Sequence, residues 1–89
     1  FSLALNGGSV AGNVLARKMK HTTAADTVSY QLYQDAAYGT VWGDASGGAP
    51  RAGVGTGANQ TFTVYGRVPA QTTPRPGTYR DVVTATITF

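Results

Sequence analysis

Apolar and polar residues alternate along most of the chain, and this period of two predicts β-strands. The first segment, residues 1–5, alternates until the pair Gly7-Gly8, which predicts a strand followed by a turn. Residues 27–34 alternate most clearly and carry the β-branched and aromatic side chains that strands favour. Further strands are predicted over 40–42 and 60–68, and residues 13–20 fit a strand or a helix, of which we favour the strand.

The longest alternating segment, residues 78–89, runs to the last residue. It predicts one long strand whose threonines share one face. The residues predicted to share the other face are Tyr79, Asp81, Val83, Ala85, Ile87 and Phe89.

Two connections separate these strands. Residues 43–59 are rich in glycine and predict a long loop with one short edge strand near 51–54. Residues 69–77 hold three of the four prolines and predict a rigid, irregular connection.

The predicted elements indicate one all-β domain over residues 1–89, an antiparallel sandwich of immunoglobulin type. About six strands can be counted, whereas a self-sufficient sandwich of this type needs about seven strands and ~100 residues. The chain begins and ends directly on a strand. We therefore expect an incomplete sandwich whose missing strands leave a hydrophobic groove and an unpaired edge.

The composition narrows the classes of function. The chain has 89 residues with no cysteine, so a disulfide framework and a thiolate zinc site are excluded. Its net charge of +3 is spread along the sequence and too dilute to indicate nucleic-acid binding. No apolar run approaches the ~20 residues of a membrane-spanning helix.

The sequence offers little support for catalysis. His21 is the only histidine, and no serine lies in a Gly-x-Ser-x-Gly turn that would make it a nucleophile. Asp35 and Asp44 lie where turns are predicted, which is a simpler explanation than a pair of catalytic carboxylates. The glycines of 43–57 are not followed by the lysine of a phosphate-binding loop. We expect no enzymatic activity, no cofactor and no metal site.

Three other groups of residues have a structural and a functional interpretation. We expect Asp81 to accept hydrogen bonds from backbone N–H groups of the 69–77 connection, with a subunit interface as the alternative. Lys18 and Lys20 would share a solvated strand face, beside Arg17. The aromatic residues Tyr33, Tyr38, Trp42 and Tyr65 are expected in core or cross-strand packing, with stacking on sugars as the alternative.

Several short motifs along the chain form one set. The closing segments are V-Y-G-R-V-P (64–69) and P-G-T-Y-R-D (76–81), with Gly77, Tyr79 and Asp81 as their characteristic positions. Y-Q-L-Y (30–33) and W-G-D (42–44), which contains Trp42, precede them. In this order the motifs resemble those of the spore coat protein U domain family, whose members are subunits of archaic chaperone–usher pili, and the resemblance covers essentially all 89 residues.

The resemblance implies a structural pilus subunit that is exported to the periplasm and displayed at the cell surface, where it supports adhesion and biofilm formation. A periplasmic chaperone lends such a subunit a strand, and a neighbouring subunit replaces that strand at an outer-membrane usher. Residues Val83, Ala85, Ile87 and Phe89 would then line the groove that accepts it. Family members normally carry a further N-terminal block with the first strands, which we expect to come from the same precursor or from another chain.

The alternative is a tip adhesin, or another secreted β-sandwich binding module, that recognises a surface or a glycan. It would use the exposed aromatic residues and the 43–57 loop.

Overall fold

The computed structural model describes residues 1–72 and 75–89, which form eight short strands and one turn of 3₁₀ helix. The 3₁₀ helix covers Val14–Ala16, and Asn13 caps it by accepting a hydrogen bond from the Leu15 N–H. In chain order the strands are β1 (Ser2–Leu5), β2 (Lys18–His21), β3 (Thr27–Ser29), β4 (Gln31–Tyr33), β5 (Arg51–Ala52), β6 (Tyr65–Arg67), β7 (Tyr79–Arg80) and β8 (Ala85–Thr88).

The strands assemble into three small antiparallel sheets with the orders β5-β1-β8, β3-β2-β7 and β4-β6. β1 lies opposite the last strand, so that Leu3 faces Ile87 and Leu5 faces Ala85. The backbone of Trp42 and Gly43 joins the β1 and β4 sheets, because the Trp42 N–H donates to Leu32 and the Leu5 N–H donates to Gly43. The predicted all-β class is confirmed, and so is the interpretation as an incomplete immunoglobulin-like sandwich.

Two of the predicted strands are divided. Residues 27–34 break at Tyr30, so that β3 pairs with β2 and β4 pairs with β6; the Tyr30 N–H still donates to the Arg17 carbonyl, which lies opposite it in the β2–β3 register. Residues 78–89 break over 81–84, since the loop after β1 takes the backbone groups of this segment; the Ser9 N–H donates to the Val82 carbonyl. One continuous terminal strand was therefore a wrong prediction.

Other predicted segments are shorter than expected. Residues 13–20 contain the 3₁₀ helix before β2, so the strand interpretation is correct only from Lys18 onward. Of residues 60–68 only β6 is a strand, and residues 40–42 make isolated bridges through Val41 and Trp42. The predicted edge strand near 51–54 is β5. In the predicted 69–77 connection, residues 73 and 74 lie outside the described residues.

The buried core is small. Its hydrophobic members are Leu5, Val14, Val28 and Trp42, while large apolar side chains such as Val54 remain exposed. The accessible surface is 5729 Å², whereas a complete monomer of 9.2 kDa would expose roughly 4,900 Å². The fold therefore exposes about 800 Å² more surface than a complete monomer of the same mass would.

Candidate functional site

The outer edge of β8 is the first part of the candidate site. Within residues 1–72 and 75–89, β1 is the only strand that pairs with β8. The other side of β8 therefore presents backbone N–H and C=O groups that no described strand pairs with. An edge of this kind is a template for a strand from another segment.

An apolar groove of ≈ 290 Å³ lies at the end of the same sheet. Phe1 and Phe62 meet there edge to face, with their ring centroids 5.8 Å apart. The guanidinium of Arg51 stacks 4.9 Å from the Phe62 ring centroid. The apolar side chains that line the groove are those of Phe1, Leu3, Ala58, Phe62, Ile87 and Phe89.

The four residues predicted to line a groove have different positions. Ile87 and Phe89 line it, and they are 54% and 101% exposed. Ala85 is exposed and Val83 half-buried, and neither is among the lining residues. The structure thus brings the last two of the four to the groove, beside the unpaired edge.

Trp42 lies in the core and is 1% exposed. Its indole Nε1–H donates to the Leu3 carbonyl at 2.9 Å, which fixes the ring beneath β1. The expectation of core packing is confirmed for this residue, and a buried indole cannot stack on a sugar.

Arg17 is completely buried, which the sequence did not reveal, since the two lysines that follow it in β2, Lys18 and Lys20, are exposed. Its guanidinium donates to the carbonyls of Leu5, Asn6 and Trp42 at 2.7–3.2 Å, and to the Gln31 Oε1 at 2.6 Å. Burial lowers the pKa of this guanidinium, but arginine stays charged at neutral pH. The residue joins β1, β4 and the tryptophan segment through one cation.

Asp81 organises the loop after β1. Its Oδ1 accepts from the Ser9 N–H at 2.9 Å and the Val10 N–H at 3.1 Å, and its Oδ2 accepts from the Tyr30 hydroxyl. Burial alone would raise the pKa of the Asp81 carboxyl, but these hydrogen bonds outweigh it and hold the pKa below its ordinary value. Burial is the main cause that raises the pKa of Tyr30, and the hydrogen bond to Asp81 raises it further.

The prediction for Asp81 was correct about the type of hydrogen bond and wrong about the segment that donates it. The carboxylate binds backbone N–H groups, as predicted, but they belong to the loop at 7–12 and not to the 69–77 connection. The sequence separation of 72 residues between Ser9 and Asp81 explains why no local pattern identified the partner.

Gly77 and Tyr79 pack around His21 at the end of β2. Gly77 has a φ of 144°, and a Cβ on it would overlap the His21 ring. Tyr79 meets that ring edge to face at 5.2 Å and donates its hydroxyl hydrogen to the Arg75 carbonyl. His21 Nδ1 accepts from the N–H groups of Thr23 and Ala24, while Nε2 lies 3.1 Å from the Pro76 carbonyl oxygen. His21 is thus half-buried at the end of β2.

The outer edge of β3 is covered by a side chain. The Gln71 amide accepts from the Ser29 N–H and donates to the Ser29 carbonyl, both at 3.0 Å. This pair of hydrogen bonds mimics the pairing that another strand would make, so β3 differs from β8.

Within residues 1–72 and 75–89, no three histidine, cysteine, aspartate or glutamate side chains converge as metal ligands would. No helix in this part of the chain has the length and apolar character needed to cross a bilayer.

Comparison with known proteins gives two findings. The family model of the Spore Coat Protein U domain matches residues 1–86. Protein U of Myxococcus xanthus is 42% identical over 83 residues, which cover 92% of this chain and 45% of that protein. The chain therefore spans less than half the length of this curated relative.

Proposed function

The chain belongs to the Spore Coat Protein U domain family, and from this premise we propose that it is a structural subunit of a surface pilus built by strand addition. The observation that carries the proposal is the unpaired edge of β8 beside the apolar groove at Ile87 and Phe89. A donated strand would bond to the backbone of β8 and place alternate side chains in the groove. Backbone pairing would supply affinity, and the shape of the groove would supply selectivity.

The surface area of the molecule supports this assembly mode. The excess of about 800 Å² over a complete monomer is close to the area that one partner buries in a standard protein interface. A strand laid along β8 and the groove would cover part of this area, and the N-terminal strands of the family would cover the rest. These strands would come from the same precursor or another chain.

The edges of the sheets favour β8 as the acceptor. Gln71 occupies the edge of β3 with two hydrogen bonds, which would discourage pairing there. Ile87 and Phe89 next to β8 offer apolar surface in addition to backbone groups. An incoming alternating strand would gain both kinds of contact at β8.

The partners follow from this mechanism. A periplasmic chaperone would occupy the edge of β8 in transit, and a neighbouring subunit would replace it at an outer-membrane usher. The assembled fibre would lie at the cell surface and support adhesion and biofilm formation. The role is non-enzymatic, which is supported by the contacts of His21, whose ring nitrogens face backbone groups.

The test is capture of the protein by its cognate chaperone in a co-purification experiment. The variant Ile87→Lys places a charge in the groove, while Thr88→Lys places the same charge on the next residue of β8, outside the groove lining. We expect Ile87→Lys to lower the recovered complex at least tenfold and Thr88→Lys to leave it within twofold. Truncation of 87–89 should abolish capture.

Equal recovery of both lysine variants, or unchanged capture after the truncation, would refute the assignment of the β8 edge. Near-ultraviolet circular dichroism of each purified variant provides the control for folding. The alternative role as a tip adhesin is separated by immunogold labelling, because a tip subunit would mark one end of each fibre and a shaft subunit its whole length.

A further inference from the structure

One face of the β4–β6 sheet gathers tyrosines around one arginine. The register places Gln31 opposite Arg67 and Tyr33 opposite Tyr65, so these four side chains share one face. Tyr38, in the turn after β4, meets Tyr33 edge to face, with the ring centroids 5.2 Å apart. We call the set Tyr33, Tyr38, Tyr65 and Arg67 the tyrosine face.

The backbone of Tyr38 is held in an unfavourable conformation. Its φ is 57°, and within the described residues it is the only non-glycine residue with a positive φ. The Asp35 carboxylate secures the turn by accepting from the N–H groups of Gly39 and Thr40 at 2.9–3.1 Å. The Thr40 and Gly39 hydrogen bonds lower the pKa of Asp35. Backbone strain that is held in place by surrounding hydrogen bonds is often found at functional positions.

The strained turn displays the Tyr38 ring. The residue is 42% exposed, so its ring contributes to the surface rather than to the core. A glycine at this position would adopt the same φ without strain, but it would remove the ring. The side chain therefore offers contact surface at a position where the backbone alone would favour glycine.

Arg67 supplies a cation without a carboxylate partner. Its guanidinium lies 5.4 Å from the Tyr38 ring centroid, which orients its plane while leaving its N–H groups accessible. Among residues 1–72 and 75–89, no carboxylate lies within salt-bridge distance of it; the ion pair found there joins Arg75 to Asp26. One exposed, oriented guanidinium is suited to bind one carboxylate in a bidentate manner.

A cavity of ≈ 460 Å³ adjoins the tyrosine face. Tyr33 and Arg67 belong to its wall, together with apolar groups from Leu15, Val41 and Pro69. The volume is within the range of small-molecule sites. The wall also contains Arg17, but its guanidinium is fully buried and donates to carbonyl groups of the protein, so Arg67 is the exposed arginine of this wall.

We propose that the tyrosine face binds an acidic polysaccharide, with the carboxylate of one uronic acid residue at Arg67 in the cavity wall and the next sugar at Tyr38, which lies outside that wall. The apolar C–H face of this second sugar ring would stack on Tyr38, and the carboxylate of the first would accept hydrogen bonds from Arg67. A neutral apolar ligand would not need the arginine. A uronic acid residue combines one carboxylate, which Arg67 can bind, with a sugar ring, which a tyrosine can stack on.

This site is separate from the edge that accepts a strand. The tyrosine face lies on the β4–β6 sheet, whereas the acceptor groove lies on the β5-β1-β8 sheet. Loss of chaperone capture in the Ile87→Lys variant would leave sugar binding unchanged. The two proposals can therefore fail independently.

The test measures binding of the full-length protein to polygalacturonate by biolayer interferometry, beside the fully methyl-esterified polymer. We expect the esterified polymer to bind at least tenfold more weakly, because its carboxylates are neutralised. Arg67→Gln should weaken binding to polygalacturonate at least tenfold. Arg80→Gln removes the same charge from β7 and should change the affinity less than threefold.

Tyr38→Gly separates binding from folding. The variant should bind at least tenfold more weakly and keep a Tm close to that of the wild type, because the relief of strain offsets the lost ring contacts. A large fall in Tm would show that the ring serves stability, and would overturn the proposal for Tyr38.

Four further results would overturn the proposal as a whole. Absence of binding to polygalacturonate would do so directly. Equal losses in Arg67→Gln and Arg80→Gln would indicate attraction by net charge only. Equal binding of the acidic and esterified polymers would indicate a site for neutral sugars, and tighter binding to an acidic peptide or to anionic vesicles would indicate a different partner.

Discussion

Replacing the buried Arg17 should destabilise the fold more than any other single change of charge. The guanidinium is fully buried and donates to the carbonyls of Leu5, Asn6 and Trp42 and to the side chain of Gln31. A hydrogen bond to a charged group contributes about 1.5–3 kcal/mol. Arg17→Met removes all of them, although it also removes the desolvation cost of a buried cation.

The expected net loss is about 3–5 kcal/mol in the free energy of unfolding, because three carbonyl groups lose their buried donor and each unsatisfied group costs about 1–3 kcal/mol, partly offset by the desolvation cost that is removed. Small domains are stable by only about 5–15 kcal/mol, so the variant would lose a large share of its stability. With a urea dependence of about 1–3 kcal/mol per molar, the midpoint should fall by about 2 M.

Urea unfolding followed by tryptophan fluorescence is a suitable assay. Trp42 is the single tryptophan of the chain, it is 1% exposed, and its carbonyl accepts from Arg17. The control is Lys18→Met, which makes the same substitution at the next residue, where the side chain is exposed. We expect the control to change stability by less than about 0.5 kcal/mol. A loss below about 1 kcal/mol in Arg17→Met would refute the argument that this cation joins the sheets.

Further predictions concern the two motif positions around β7. The pKa of Asp81 is lower in the folded than in the unfolded protein, so its contribution to stability is present above about pH 4 and is lost as the pH falls through the folded pKa. Urea midpoints measured at decreasing pH should show this loss in the wild type and not in Asp81→Asn. Gly77→Ala should cost about 1–3 kcal/mol because of its positive φ and the overlap with His21. Gly55→Ala, where a Cβ meets nothing within 4 Å, should be neutral or slightly stabilising, and similar urea midpoints for the two alanine variants would contradict this explanation.

The period of two in the sequence was sufficient to predict the fold class. It identified strands at both ends of the chain and the edge strand β5, and it predicted that the sandwich would be incomplete. The motif residues Trp42, Gly77, Tyr79 and Asp81 were singled out before their contacts were visible. Their roles required the fold, because each contact joins segments far apart in the chain: Trp42 bonds to Leu3, and Asp81 to the loop at 7–12.

The remaining differences have a common physical cause. Alternation reports which face of a strand a residue occupies, but not where pairing stops, because a strand ends when its backbone groups find another partner. Residues 81–84 leave the ladder for this reason, since the Ser9 N–H in the loop after β1 donates to the Val82 carbonyl. The burial of Arg17 beside two exposed lysines is equally invisible in the sequence, because carbonyl oxygens from β1 and the Trp42 segment create the site that holds it.

Local chemistry along the chain was enough to establish strand-forming segments, turns and the absence of cysteine chemistry. Tertiary packing determines which strand edges are covered and which remain open. Gln71 covers the edge of β3 at Ser29, whereas the outer edge of β8 has no partner among the described strands. Tertiary packing also gathers three tyrosines and Arg67 on one face, through a register between segments more than thirty residues apart. Such placements depend on long-range pairing, and no pattern of neighbouring residues encodes a partner that only folding brings near.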